Sequence, residues 1–176
     1  MPIEENTPLY GVLSSITKSQ RTRSYLEIGV RDGDSLTAAL KNRTIERLVL
    51  CDTWGDMYGG TNKGSHKHIE PIIAGVKSVC FLDGDSKVLI PTLAETFDLI
   101  NIDGDHSMLG CLTDMKNCWP LLVPGGFMVV DDLAHPAHKY LDACFTGFAI
   151  EASAIIRLRD IKTGHGVGVL QKKETQ

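Results

Sequence analysis

The residues best able to do chemistry lie in one run, FDLINIDGDHSMLGCLTDMKNCWPLLVPGGFMVVDD, residues 97–132. Asp103, Asp131 and Asp132 follow short apolar stretches, and His106 comes three residues after Asp103. Carboxylates crowded together repel one another unless a cation sits among them or one of them holds a proton. A hard divalent ion such as Mg2+ suits such a group, because it takes oxygen ligands and keeps several waters. A free imidazole titrates near about 6.5, so His106 can accept a proton at neutral pH from whatever such an ion holds. The same letters also serve plain structure, since Asp-Gly and Asp-Asp at strand ends make turns and cap helices.

That run reads as strand, loop, helix, turn, strand. Residues 97–102 are an apolar stretch too short for a globular helix, so they are expected to be a buried strand. Residues 108–119 place Leu109, Leu112, Met115 and Trp119 three or four apart, the spacing of an amphipathic helix. Pro124-Gly125-Gly126 supplies turn chemistry, and residues 127–130 form a second buried strand. A β-α-β unit crosses over right-handed and pairs its strands in parallel. Neighbouring strands stand about 4.8 Å apart, so the three acids are expected on one rim of the sheet. Open α/β sheets bind ligands at that rim.

A second constellation is Glu27-Ile28-Gly29-Val30-Arg31-Asp32-Gly33-Asp34-Ser35. Its glycines permit positive φ and let a ligand approach the backbone. Three residues separate Gly29 from Gly33, so this is not the GxGxxG of dinucleotide folds. Glu27, Asp32 and Asp34 are negative where a pyrophosphate would sit, and suit a ligand that carries an ammonium group instead. Asp52 ends the next apolar run, the place of a carboxylate that bonds ribose hydroxyls. Asp83-Gly84-Asp85-Ser86 follows a third apolar run, as a polar loop able to bracket an adenine. Four acidic strand ends in this order form a stronger signal than any one of them.

These residues need a frame. A helix is expected over residues 7–18, capped by Thr7 with Pro8 at its first position. Further strands are expected at 24–30, 47–52, 78–82, 152–159 and 166–172, and helices at 36–42, 87–96 and 137–148. Alternation of strand and helix indicates an α/β, doubly wound, mostly parallel sheet, here closed by an antiparallel C-terminal hairpin. Residues 54–68, WGDMYGGTNKGSHKH, break the rhythm with four glycines. They read as a mobile loop acting as a lid or substrate wall. His66 and His68 there lack further metal ligands.

A chain of 176 residues reads as one domain and buries roughly 70% of its unfolded surface. Its 43% apolar and 23% charged content describe an ordinary globule. A net charge of −4 argues against nucleic acid as the partner. Glu4 and Glu5 interrupt the start, so no secretory signal is expected, and no apolar stretch reaches membrane-spanning length. The five cysteines are odd in number and scattered, without a CxxC pair, as in a reduced cytoplasmic protein.

Taken together, ExGxxxGxS, the acid closing the second strand, the Gly84-Asp85-Ser86 loop and above all IDGDH…D…W.PLL.PGG…VDD resemble class I S-adenosylmethionine-dependent O-methyltransferases. The resemblance is to the metal-dependent branch acting on sugars and related to catechol-type enzymes, and it covers roughly residues 24–132. It implies a Rossmann-like methyltransferase fold of seven strands. Glu27 and Gly29 would contact the methionine part of the cofactor, with Gly33 and Ser35 shaping the loop. Asp52 would hold the ribose diol, Asp85 and Ser86 would flank the adenine, and Asp103 would lie at both the cofactor and the metal. Asp103, Asp131 and Asp132 would ligate Mg2+, and His106 would be the general base. The partner implied is a small-molecule hydroxyl acceptor, a sugar among the options.

The chain departs from that pattern in lacking the long N-terminal helices and inserts that wall the acceptor pocket. An open acceptor site, or one completed by a second subunit in a homo-oligomer, is the consequence. Two other readings stand beside this one. The first is a cofactor-binding domain without turnover or a subunit of a larger complex. The second is a nicotinamide-dependent oxidoreductase, which the missing GxGxxG and the acidic rim disfavour.

Overall fold

Strands buried on both faces build the centre of the sheet. The strands are β1 (Ser24–Ile28), β2 (Arg47–Asp52), β3 (Ser78–Asp83), β4 (Phe97–Ile102), β5 (Leu122–Val130), β6 (Ala152–Arg159) and β7 (Gly166–Lys172). In the computed structural model, which describes residues 8–19, 22–55, 64–159 and 164–174, they form one sheet in the order β3-β2-β1-β4-β5-β7-β6. β1 to β5 pair in parallel, β7 runs antiparallel to β5, and β6 antiparallel to β7. This is the doubly wound sheet with its closing hairpin.

Alternate residues of each strand face opposite cores. Tyr25, Leu48, Leu50, Leu99 and Val129 pack with Leu9, Leu13, Leu36 and Ile69 on one side. Those partners come from α1 (Pro8–Ser19), α2 (Asp34–Leu40) and α3 (His66–Ile69). Leu26, Ile28, Val49, Ile100 and Ile102 pack with Met115, Cys118 and Phe145 on the other. There the cover is α4 (Ser86–Leu89), α5 (Met108–Cys118) and α6 (Leu141–Phe148). All five cysteines are unbonded, and Cys51, Cys111 and Cys118 are core residues. No helix among the described residues is long and apolar enough to cross a membrane.

Four local expectations change. β5 starts at Leu122, so Pro124-Gly125-Gly126 lies within the strand, where the register to β4 slips between Phe97 and Leu99. The glycines form an irregularity in the ladder and not a turn ahead of it. The helix expected over 87–96 is α4 followed by a 3₁₀ turn at Ile90–Thr92, because Pro91 cannot continue an α-helix. In α5 the buried face is Gly110, Cys111, Asp114, Met115 and Cys118, while Leu109 is exposed. Gly110 and Asp114 set that face: a Cβ on Gly110 would meet the Asp105 carboxyl at 2.1 Å, and Asp114 accepts from Ser86 Oγ at 2.7 Å. The last helix begins at Leu141 and not at residue 137. Thr7, the expected cap of α1, lies outside the described residues, as do residues 56–63 of the expected lid.

β1 is the switch point. The chain steps outward from it to β2 and β3, then returns to β4 on its other side, which opens a crevice beyond the strand ends. Those ends are level. Gly29 N donates to Cys51 O at 2.9 Å, Gly84 N to Asp52 O at 2.9 Å, Asp103 N to Ile28 O at 2.9 Å, and Asp131 N to Ile102 O at 3.1 Å. Each strand therefore delivers its first loop residue to the same rim.

Candidate active site

The loop after β1 is held from three directions. Gly29 has φ +84°, and a Cβ on it would stand 2.0 Å from the Asp103 carbonyl oxygen. Only glycine lets the first loops of β1 and β4 lie in contact. Gly33, also at φ +84°, donates its N–H to Val30 O at 2.9 Å and precedes α2, where a Cβ would meet Ile69 and Ile72 of the α3 region. Asp52 Oδ2 accepts from Val30 N at 2.7 Å and Arg31 N at 2.8 Å, and Oδ1 accepts from Trp54 N at 2.7 Å. Three of its roughly four lone-pair positions thus pin backbone. Arg31, Trp54 and Asp132 all carry positive φ, a strain that concentrates at functional sites.

Glu27 lies beneath this loop and not on the cleft wall. It is fully buried, and Oε1 accepts from Ser35 Oγ and, at 3.1 Å, from Asn101 Nδ2. Its Oε2, like Tyr25 Oη and Asn101 Oδ1, is buried without a hydrogen-bond partner among the described residues. Burial pushes the Glu27 carboxyl from 4.5 up to about 8, so at neutral pH it is mostly protonated.

The acids at β4 and β5 meet around histidine. His106 Nε2 stands 3.2 Å from Asp103 Oδ1, and Nδ1 stands 3.4 Å from Asp132 Oδ2. His165 Nδ1 lies 2.8 Å from Asp132 Oδ1. Burial lifts the Asp103 carboxyl above its ordinary range, against the pull of His106. Burial, then Asp103 and Asp132, lifts Asp131 well above it. Burial alone would lower His106, but the hydrogen bond and charge of Asp103, with Asp132 and Asp131, outweigh it and raise its pKa.

The loop after β3 completes the rim. Asp85 caps α4, accepting from Lys87 N at 2.9 Å. Ser86 Oγ donates to buried Asp114, whose carboxyl burial raises to about 6. Lys87 Nζ bridges to Asp105 at 2.9 Å. The two described ends of residues 54–68 fold back on β3: Trp54 Nε1 and His66 Nε2 both reach Asp83 Oδ1, at 2.8 and 2.7 Å, and His66 stacks on Phe81.

One cleft of about 450 Å³ joins these parts. Gly29, Ser35, Asp52, Asp85, Ser86, Asp103, His106, Asp131 and Asp132 line it, whereas Glu27 and Gly33 act from behind the loop. Its size is that of a small-molecule site. Its wall also includes Tyr10 of α1 and two histidines that the sequence reading passed over, His138 and His165. Asp132-x-x-His135-x-x-His138 was the available signal for the first of these. His165 has no local signal, because Leu133 N bonded to Gly166 O at 2.8 Å is what brings the hairpin to Asp132.

Comparison with known proteins adds a family to this geometry. A family model described as a methyltransferase domain matches residues 26–133, more than half of the chain. An uncharacterised protein of Acanthamoeba polyphaga mimivirus is 27% identical over 114 residues, 62% of this chain and 51% of that protein. The chain thus spans about half the length of this curated relative. An O-methyltransferase from Bacillus cereus, solved in complex with SAH, superposes with TM-score 0.69 at 20% identity, covering 97% of this chain and 84% of that one. The O-methyltransferase TomG from Streptomyces achromogenes, in complex with SAM, gives 0.69 at 19%, covering 98% and 83%. The N-methyltransferase NodS from Bradyrhizobium japonicum, with S-adenosyl-L-homocysteine, gives 0.70 at 17%, covering 97% and 90%. At these identities the likeness is one of fold.

Proposed function

From the premise that the chain belongs to the methyltransferase-domain family, we propose that it moves the methyl group of S-adenosylmethionine to a hydroxyl of a small molecule such as a sugar, assisted by Mg2+ or a similar cation. The carrying observation is the single cleft in which the glycine loop of β1, Asp52, the Asp85-Ser86 loop and the Asp103–His106–Asp132 group face one another. S-Adenosylmethionine supplies a sulfonium methyl group, and its positive charges suit a cleft lined by so many acids. Gly29 gives the methionine part access to backbone, while Glu27, Gly33 and Ser35 hold that loop in shape. Asp52 keeps one acceptor position for a ribose hydroxyl. Asp85 and Ser86 stand at the adenine end.

At the other end the group with ligand atoms drawn within 4.8 Å of one another, among the described residues, is His106, Asp132 and His138, so a hard cation on Asp103, Asp131 and Asp132 would complete its shell with waters or the acceptor. Asp103 and Asp132 raise the cost of ionising Asp131, and Asp132 that of Asp103, a cost that added positive charge removes. Mg2+ among Asp103, Asp131 and Asp132 would supply charge that favours a deprotonated acceptor oxygen. His106 lies between Asp103 and Asp132, and as a neutral imidazole it would take the hydroxyl proton through a ring nitrogen that the bound acceptor reaches in place of a carboxylate. The oxygen then bonds the methyl carbon as the carbon–sulfur bond breaks and sulfur keeps the electron pair. A hydroxyl oxygen is a weak nucleophile until its proton leaves, so a base at His106 suits a hydroxyl acceptor. The test is transfer of labelled methyl to a panel of sugars and catechols. EDTA is expected to abolish it and Mg2+ to restore it; full transfer in EDTA would remove the cation from the mechanism.

A further inference from the structure

Asp132 anchors a second arrangement, which joins it and His106 to histidines that methyl transfer does not use. His135 N donates to Asp132 O at 3.1 Å, His138 N to His135 O at 2.9 Å, and Leu141 N to His138 O at 3.0 Å. Consecutive three-residue turns bring side chains at i and i+3 to one side. The result is a nest of imidazoles: His106 and His138 have ring centroids 5.0 Å apart, His135 and His138 4.9 Å, and His135 and His165 4.8 Å. One ligand atom each from His106, Asp132 and His138 falls within 4.8 Å of the others. His138 Nδ1 is buried with no hydrogen-bond partner among the described residues, an orphan of the kind that marks an absent ion or water.

We propose that His106, Asp132 and His138 form a binding site for a borderline divalent transition metal of the zinc class. Two imidazoles and one carboxylate suit zinc, iron, cobalt or nickel, whereas Mg2+ prefers oxygen throughout. The 3.4 Å between His106 Nδ1 and Asp132 Oδ2 matches a pair of zinc ligands. Ligands about 2.0–2.1 Å from a tetrahedral zinc stand roughly 3.3–3.4 Å from each other. The surrounding groups match as well. A metal-bound histidine turns its other ring nitrogen to a carboxylate, and His106 Nε2 faces Asp103 Oδ1. His165, on the second oxygen of Asp132, holds that carboxylate in orientation. Three protein ligands leave a fourth position open toward the cleft. This site shares Asp132 with the all-oxygen rim and occupies His106, so a zinc-class ion there excludes Mg2+ assistance and blocks the base.

Titration of the chelator-treated full chain with Zn2+ by calorimetry, and with Co2+ by visible absorption, tests this. One equivalent is expected, with the intense cobalt bands of a four-coordinate shell. His138→Ala and His138→Gln are expected to weaken Zn2+ binding about tenfold or more, the scale seen even for groups behind the ligands, with an unchanged thermal midpoint in the absence of metal. Absence of Zn2+ binding, or His138 variants that bind as tightly as the parent, would overturn the site. Neither result depends on S-adenosylmethionine, so failure here and failure of the methyl-transfer reading are separate events.

Discussion

Glu27 carries the clearest pH signature of any single residue. Its folded-state pKa of about 8 lies above the ordinary 4.5, so the native state binds the proton more tightly than the unfolded chain. The stability gained is complete below about pH 4.5 and is lost as pH rises toward 8. Urea unfolding across that window is expected to show this decline, and Glu27→Gln, which mimics the protonated form, to flatten it. A parallel slope in both proteins would place the titration elsewhere. At the reacting end, His106→Ala is expected to slow transfer by roughly 10²–10⁴-fold with S-adenosylmethionine affinity nearly unchanged, the usual worth of a general base. Residues such as Asp103, Asp131 and Asp132 were legible because apolar runs end on them, and His106 because it follows Asp103 by three residues. His138 and His165 were not, since their place depends on a run of turns and a hairpin contact that no local spacing announces.

At the scale of elements, the site depends on how strand ends are fastened to one another. Gly29→Ala drives a methyl into the Asp103 carbonyl at positive φ, and is expected to destabilise the fold by at least about 1–3 kcal/mol in urea unfolding. Asp52→Ala frees the N–H groups of Val30, Arg31 and Trp54, and is expected to weaken S-adenosylmethionine binding by about 1.5–3 kcal/mol, the value of hydrogen bonds to a charged group. Strands were easier to read than helices. Every β-strand carried an apolar run, but α5 hides two cysteines and an acid where leucines were expected to face inward. There a polar tether from Asp114 to Ser86 and the space under Gly110 outweigh hydrophobic spacing. The proline in the turn after α4 and the Pro-Gly-Gly within β5 mark where local chemistry predicted punctuation and the sheet kept its ladder or the helix tightened.

For the molecule as a whole, the reversal of strand order at β1 matters most, because it opens a crevice where loops from β1, β2, β3, β4 and β5 all contribute acids. The order of acids along the sequence anticipated that rim, and the family match over residues 26–133 is consistent with it. The same fold also carries the N-methyltransferase NodS, so the sheet alone does not select the acceptor. The claim on which the account turns is that this cleft receives S-adenosylmethionine and not a dinucleotide. Calorimetry with S-adenosylmethionine and NAD side by side tests it most directly. The account predicts one-to-one binding of S-adenosylmethionine, weakened in Asp52→Ala, and no heat with NAD. Binding of NAD, or no binding of S-adenosylmethionine to the folded chain, would contradict it.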